Sequence, residues 1–186
     1  LSRQISQTMP SKAPGFYFVD IQPHQVDKFE QIVRQTSPIK SINRVPMLRG
    51  RITHVKGIPA SEVKAAASTA WVLRNDRGLT WSTEAPPGAK IKEGVWWPAN
   101  YSGPPLVSFD AGAAAGMGLT IGDAITVNVL GRPITAKIAN LRAIDWRTLR
   151  VNFVMVFSPG VIQHAPQTHI AASRLDPQYE NAVENA

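Results

Sequence analysis

Cysteine is missing from this sequence of 186 residues, and so is any long apolar run. Without cysteine the chain has no disulfides, no thiolate metal ligands and no cysteine nucleophile, and its redox compartment stays undetermined. No stretch approaches the ~18 consecutive apolar residues that cross a bilayer. The chain begins at Leu1 without a methionine, and its last helical pattern has no stop signal before Ala186. We therefore interpret the sequence as an excised piece of a longer protein.

Signatures of catalysis are missing as well. The glycine-rich segment Asp110–Gly118 lacks the Gly-Lys-Ser/Thr of a phosphate-binding loop, so we predict a helix of small residues there. No Gly-x-Ser-x-Gly motif occurs, and no two carboxylates stand out as a general acid and base. No histidine pair has the i, i+4 spacing of a zinc-binding helix. The four histidines are His24, His54, His164 and His169. The sequence therefore assigns no catalytic residue, no metal ligand and no cofactor.

Positive charge exceeds negative charge, and the net charge is +7. Such a charge permits contact with anionic partners such as nucleic acid or lipid headgroups but does not require it. The most concentrated basic segment, Arg34–Lys56, contains Lys40, Arg44, Arg49 and Arg51 and no acidic residue. We interpret these charges as the solvent-facing side chains of a strand. A small basic module that binds nucleic acid or another anionic ligand is the alternative.

Fifteen prolines and thirteen glycines favour short strands and loops over long helices. Phe16–Ile21 is predicted to be a strand, and Pro23 begins a helix whose apolar side chains fall on one face. An extended segment, Ile42–Ile58, completes a strand-helix-strand unit. The further predicted elements are an alanine-rich helix from Ser61, a strand at Leu79–Thr83, a helix capped by Ser108, a strand at Thr168–Ala172 and a helix from Asp176. The region Glu84–Pro105 is rich in proline and glycine, and no element is assigned to it.

The segment Gly116–Phe157 has the pattern of a β-hairpin followed by a third strand. Apolar residues alternate with polar or small ones before a Gly131-Arg132 step that fits a type II′ turn. The alternation of solvent-facing and core-facing residues shifts by one position near Ile138-Ala139, which indicates a β-bulge in the return strand. Val151–Phe157 is apolar at nearly every position, which indicates a central strand. The residues predicted to face solvent on the return strand are Thr135, Lys137, Asn140 and Arg142.

Together, these elements predict an α+β fold with two subdomains. Residues 1–76 and 159–186 form a strand-helix-strand subdomain that is incomplete at its C-terminus. Residues 77–158 form a β-rich subdomain inserted into it. The insertion follows from the position of the hairpin between the first strand-helix-strand unit and the last strand and helix.

Tryptophan supplies the candidate for a binding surface. Trp81, Trp96, Trp97 and Trp146 lie in the β-rich part, and core packing is the default interpretation for them. The adjacent pair Trp96 and Trp97 is our candidate interaction surface, because clustered exposed aromatic residues often mark such a site. Beside a basic sheet the pair could also stack bases. The basic segment, however, lies elsewhere in the sequence.

Several segments of the chain resemble one protein family. They are Leu79-Thr80-Trp81, Gly94-Val95-Trp96-Trp97, Gly118-Leu119-Thr120-Ile121-Gly122-Asp123 and Leu141–Phe153. On these segments the chain resembles the large extracytoplasmic domain of FtsX-like and MacB-type ABC-transporter permeases, in the YbbP-like branch. The Gly-Asp step before a valine-rich strand is shared widely among such permeases, whereas the Leu141–Phe153 run is particular to this branch. The resemblance extends from Phe16 to about Arg174.

The resemblance implies a role in the membrane. The full protein would be an integral membrane permease served by a separate cytoplasmic ATPase subunit. This domain would protrude on the periplasmic side of the bacterial inner membrane, and its strand-helix-strand part would be porter-like. Such domains are not enzymes and bind no nucleotide; they bind partners or substrates and move as the ATPase cycles. The implied partners are the ATPase subunit, a periplasmic esterase-type or other partner protein, and a lipid or other hydrophobic substrate, with no nucleic acid expected.

Overall fold

The computed structural model describes residues 16–36, 39–145 and 151–175. These residues separate into two compact units. The first takes its described residues from 16–46, 145–152 and 167–175, and the second comprises 47–144 and 153–166. The predicted boundary between residues 76 and 77 falls within the second unit, and the two-subdomain organisation stays a prediction. Trp146 and the helix predicted from Asp176 lie outside the described residues.

The described residues form mainly strands, with three short or medium helices. The strands are β1 (Phe16–Ile21), β2 (Ile39–Val55), β3 (Ile58–Pro59), β4 (Arg77–Trp81), β5 (Lys90–Gly94), β6 (Leu106–Asp110), β7 (Ala124–Val129), β8 (Arg132–Ala143), β9 (Met155–Phe157) and β10 (Thr168–Leu175). The helices are α1 (Val26–Thr36), α2 (Trp71–Arg74) and α3 (Ala111–Met117).

The first unit is a three-stranded sheet with one helix. Its strand order is β1-β10-β2, and β1 runs antiparallel to β10. Pro23 begins a single 3-10 turn that leads directly into α1, so the predicted helix is confirmed. The small core of this unit contains Ile21, Val26 and Ala171, with Phe29 and Ile42 packed against it. Burial of these side chains is what holds the helix against the strands.

The second unit is built on a closed barrel of six strands. Around the ring the order is β2-β4-β9-β6-β8-β7, and β7 pairs with β2 to close it. The pairs β4–β9 and β6–β8 are parallel, and the other pairs are antiparallel. β5 pairs with the second half of β8, and β3 pairs with the end of β2. Closure removes the free edges that an open sheet of these strands would leave.

The predicted α+β fold, with a porter-like strand-helix-strand subdomain, is wrong because the chain is mostly β and contains the closed barrel. The barrel depends on pairings between strands that lie far apart in sequence. Leu48 pairs with Leu79, and Leu79 pairs in turn with Met155 on its other side. The residue period within one strand indicates that the strand exists but not which neighbour it takes.

The alanine-rich helix predicted from Ser61 does not form as one helix. The segment is a 3-10 turn at Ala60–Glu62, an irregular stretch, and then the four-residue α2. The Ala66 N–H donates to the Gly116 carbonyl at 2.8 Å instead of to its own segment. Val72 is fully buried in the barrel core. Tertiary packing thus overrides the helix propensity of alanine here.

The hairpin prediction is confirmed in its strands and wrong in its turn. Ile125, Val127 and Val129 are all buried, as the alternation indicates. The turn residues are Leu130 and Gly131, one position earlier than predicted. Their φ angles are 51° and 83°, and positive φ at both central positions is the signature of a type I′ turn rather than type II′.

Three other local features differ from what the sequence indicates. Ser108 is not the N-cap of α3 but a buried residue of β6, and the N-cap is Asp110, whose Oδ2 accepts from the Ala113 N–H at 3.0 Å. The proline- and glycine-rich region Glu84–Pro105, to which the sequence assigned no element, contains β5. The third strand is shorter than predicted: only β9 is extended, although it lies between β4 and β6 as a central strand should.

Candidate interaction surface

The tryptophan pair lies directly after β5 and is anchored by its own indole groups. The Trp97 side chain is 5% exposed, and its Nε1 donates to the Ser82 carbonyl at 2.9 Å. Trp96 is half-buried, and its Nε1 donates to the Thr83 carbonyl at 3.0 Å. The two ring centroids are 4.1 Å apart with an interplanar angle of 35°. Trp97 therefore belongs to the packed interior, and Trp96 is the member of the pair that reaches the surface.

Two aliphatic side chains near the pair in the fold are also exposed. Val95 is 76% exposed, and Ile121 is 39% exposed. A Cβ atom placed on Gly94 would lie 3.0 Å from Ile121 Cδ1, so Ile121 lies against the residue that precedes Val95. We call Val95, Trp96 and Ile121 the apolar surface. Exposed apolar side chains that lie together are typical of interaction sites.

A buried polar network lies behind this surface, in the barrel. Asn140 and Arg142 are 0% and 4% exposed, so the prediction that they face solvent is wrong. The predicted β-bulge is confirmed, because Ala139 is skipped where Val107 pairs with Ile138 and Ser108 with Asn140. Arg142 is opposite Asp110 in the same strand pair. β5 and β6 pair with the two edges of this half of β8.

The hydrogen bonds of this network form a chain with one direction. Arg142 Nε donates to Ser108 Oγ at 2.6 Å, and the Ser108 hydroxyl donates to Asn140 Oδ1. Asn140 Nδ2 then donates to the Val95 carbonyl at 3.2 Å. At the other end, Arg142 Nη2 donates to the Phe153 carbonyl at 2.8 Å. We call Arg142, Ser108 and Asn140 the Arg142 network. It contacts the backbone of the apolar surface at Val95.

The charge of Arg142 is retained inside the barrel. Burial lowers the pKa of its guanidinium to about 10, and the nearby Asp110 opposes this shift. The side chain therefore stays protonated at neutral pH. Its positive charge is compensated by carbonyl oxygens and by Asp110, as buried charges require.

The residues Gly122 and Asp123, which precede β7, have a structural role. Asp123 Oδ2 accepts from the Thr120 N–H at 2.8 Å and lies 3.4 Å from Lys56 Nζ. Lys56 Nζ also donates to the Gly118 carbonyl at 2.8 Å. The Gly122 N–H donates to the Ile138 carbonyl at 2.8 Å. These contacts fix the connection between α3 and β7 and use the carboxylate for structure rather than chemistry.

Histidines and carboxylates do not assemble into a site in the described ranges. Within residues 16–36, 39–145 and 151–175, no three His, Asp or Glu side chains could together hold a metal ion. His24, His54 and His164 are exposed, and His54 and His164 have a neighbouring side chain as polar contact. His169 is half-buried, and its Nδ1 lies 3.1 Å from Arg44 Nη1.

The basic segment is less available to anions than its sequence implies. Three of its cations are engaged by carboxylates at 2.9 to 3.4 Å. The pairs are Arg44–Glu30, Arg51–Asp76 and Lys56–Asp123. A phosphate backbone would have to compete with these carboxylates, so the structure gives the nucleic-acid alternative no specific support.

None of the helices in the described part of the chain is long and apolar enough to span a membrane.

Comparison with known proteins gives an informative similarity. No protein-family model matches the chain. The chain is 26% identical over 168 residues to the uncharacterized ABC transporter permease YbbP of Escherichia coli (strain K12). The similarity covers 90% of this chain but 20% of that permease, so the chain spans about a fifth of its relative's length. This similarity supports an ABC permease-like domain with a transporter-associated role.

Proposed function

We propose that the chain is a non-catalytic periplasmic domain of an FtsX-like or MacB-type ABC-transporter permease. In this role it binds a partner protein or a hydrophobic substrate and couples cytoplasmic ATP hydrolysis to a conformational change on the periplasmic side of the bacterial inner membrane. The observation that carries the proposal is the similarity to a permease along 90% of the chain. The ATPase subunit would act through parts of the permease outside this sequence.

The polar chemistry of the barrel supports binding rather than catalysis. Ser108 and Arg142 have the polar side chains of the barrel best suited to catalysis, and they are 0% and 4% exposed. Their donors and acceptors are used by each other, by Asn140 and by backbone carbonyls. A substrate could not reach Ser108 without opening the barrel. What the second unit offers to a partner is the apolar surface.

The apolar surface favours a partner with an apolar contact area of its own. Val95 projects into solvent, and Ile121 and Trp96 are partly exposed. The Trp96 indole N–H is already engaged by Thr83, so its ring is held in place before a partner arrives. Preorganised aromatic side chains cost little entropy on binding. A lipid or hydrophobic substrate, or an esterase-type partner protein, would present such a contact.

Labelling of single cysteines in the parent permease tests the periplasmic location. This chain contains no cysteine, so one introduced at the exposed Ser102 supplies a unique reporter within it. In intact cells, a maleimide that crosses the outer but not the inner membrane is expected to label Ser102→Cys. The parent permease without the added cysteine gives the background.

A matched variant checks that labelling reports a folded domain. Val107→Cys places the thiol at a fully buried barrel position, and we expect labelling there only after denaturation. Labelling of Ser102→Cys only after the inner membrane is permeabilised would contradict a periplasmic location.

A further inference from the structure

The Arg142 network connects two places that are distant along the chain. One is the apolar surface, which Asn140 reaches through the Val95 carbonyl. The other is Phe153–Val154, where the chain enters the second unit again after residues 145–152. Arg142 Nη2 donates to the Phe153 carbonyl, and the Asp110 N–H donates to the Val154 carbonyl at 2.9 Å.

Within the network, Ser108 can adopt only one hydrogen-bonding arrangement. Arg142 Nε can only donate, so the Ser108 oxygen must accept from it. The single Ser108 proton is then free for Asn140 Oδ1. The Val95 carbonyl can only accept, which places the Asn140 amide nitrogen toward it. The donor-to-acceptor direction of every hydrogen bond in the network is therefore fixed by Arg142 at one end and by the Val95 carbonyl at the other.

Such a chain is stronger than its separate bonds. A cation at one end polarises each following hydrogen bond in the same direction, and low local dielectric increases this effect. All three side chains are nearly or fully buried, so water does not replace a lost bond. Weakening one bond is therefore expected to weaken the next.

We propose that Arg142 is a positioning residue for the apolar surface. Through Ser108 and Asn140 it fixes the position of Val95 relative to Phe153–Val154, where the chain enters the second unit again. Displacement at either place then moves the other. This inference rests on the proposed function in treating the apolar surface as the interaction site, but its geometry is independent of which partner binds.

The test uses the indole N–H signals of Trp96 and Trp97 in the 186-residue chain, measured by nuclear magnetic resonance. Both N–H groups donate to carbonyls next to the apolar surface, and neither is hydrogen-bonded to Ser108 or Arg142. In Ser108→Ala we expect both signals to shift and to exchange with solvent about two- to tenfold faster, the factor for one lost hydrogen bond. Arg142→Lys keeps the cation but loses the Nε donor, and the same direction of change is expected.

A control variant separates positioning from general loss of stability. Val127→Ala removes buried volume from the same barrel core at a position outside the hydrogen-bond chain. We expect its unfolding free energy to fall while the two indole signals stay at their wild-type positions. Unchanged signals in both Ser108→Ala and Arg142→Lys, or an equal change in Val127→Ala, would overturn the inference. The maleimide experiment has no bearing on this result, so failure of the inference and failure of the periplasmic location are distinguishable.

Discussion

At the scale of single residues, Gly94 determines how the apolar surface is presented. Its φ angle is 74°, and a Cβ atom there would lie 2.2 Å from the Ala139 carbonyl oxygen. No side chain larger than hydrogen fits without movement of β8. The close approach of Gly94 to β8 brings the next residue, Val95, within reach of Asn140.

The first prediction concerns Gly94→Ala. We expect its unfolding free energy to fall by more than the ~1–2 kcal/mol that a left-handed conformation costs an ordinary residue, because a backbone clash is added. Gly131→Ala is the matched control, since Gly131 has a φ of 83° and no atom within 4 Å of its Cβ position. Chemical denaturation measures both. Equal losses in the two variants would show that the contact with Ala139 does not constrain the site.

The buried role of Asn140 and Arg142 could not be predicted from their own strand. Polar residues at alternate positions normally indicate a solvent face. Their partner Ser108 lies on β6, and β6 pairs with β8 although the two strands are remote in sequence. One signal was present in the sequence: Ser108 and Asp110 interrupt an otherwise apolar strand. Buried polar residues in one strand call for polar partners in another.

At the scale of elements, the first unit is joined by a polar contact between α1, β2 and β10. Arg44 donates through Nε to Glu30 at 2.9 Å and lies with Nη1 3.1 Å from His169 Nδ1. Arginine can only donate, so His169 accepts at Nδ1 and carries its proton on Nε2. Burial and the positive charge of Arg44 both lower the pKa of His169.

The second prediction follows from the sign of this shift. A histidine whose pKa is lower in the folded state binds a proton more tightly in the unfolded state. Its stabilising effect is therefore present above the unfolded pKa of about 6.5 and is lost as the pH falls toward the folded pKa. Hydrogen exchange of the β10 amides, corrected for the intrinsic rate, is expected to lose protection between pH 7 and pH 5.5. His169→Gln should remove most of this dependence on pH.

An exposed histidine provides the comparison. His54 lies in the second unit, where it contacts Thr53. We expect His54→Gln to leave the pH dependence of β10 exchange as it is in the wild type. A slope that persists in His169→Gln would assign the effect to another group.

Short-range patterns predicted elements well where the contacts are local. The strands of the β7–β8 hairpin and α1 follow from residue periods within a few positions. Prediction failed for β5, whose sequence lies among prolines and glycines and which is extended because β8 lies beside it. It failed again for the alanine-rich segment, where a bond from Ala66 to Gly116 replaces a helical one. In both cases the deciding partner is remote in sequence.

At the scale of the whole molecule, the net charge of +7 is compatible with the alternative function, a basic module that binds nucleic acid. The third prediction tests this alternative. Carboxylates engage Arg44, Arg51 and Lys56 in the segment that would have to contact phosphates. We therefore expect binding of the chain to single-stranded nucleic acid to be weak at 50 mM salt, a concentration at which phosphate-binding proteins still bind tightly. Tight binding that falls by about a thousandfold or more between 50 and 200 mM salt would instead support the basic module.

The proposed function implies that the apolar surface responds to the ATPase cycle, and the most direct test is thiol labelling in the reconstituted permease. The parent permease is combined with its ATPase subunit in lipid nanodiscs, with a single cysteine at Val95→Cys. We expect the labelling rate at this position to differ between the nucleotide-free state and an ATP-bound state held by a hydrolysis-deficient ATPase. Leu130→Cys, at an apolar position on the hairpin turn that is 68% exposed, should label at one rate in both states. Equal rates at Val95→Cys with and without ATP would contradict the account.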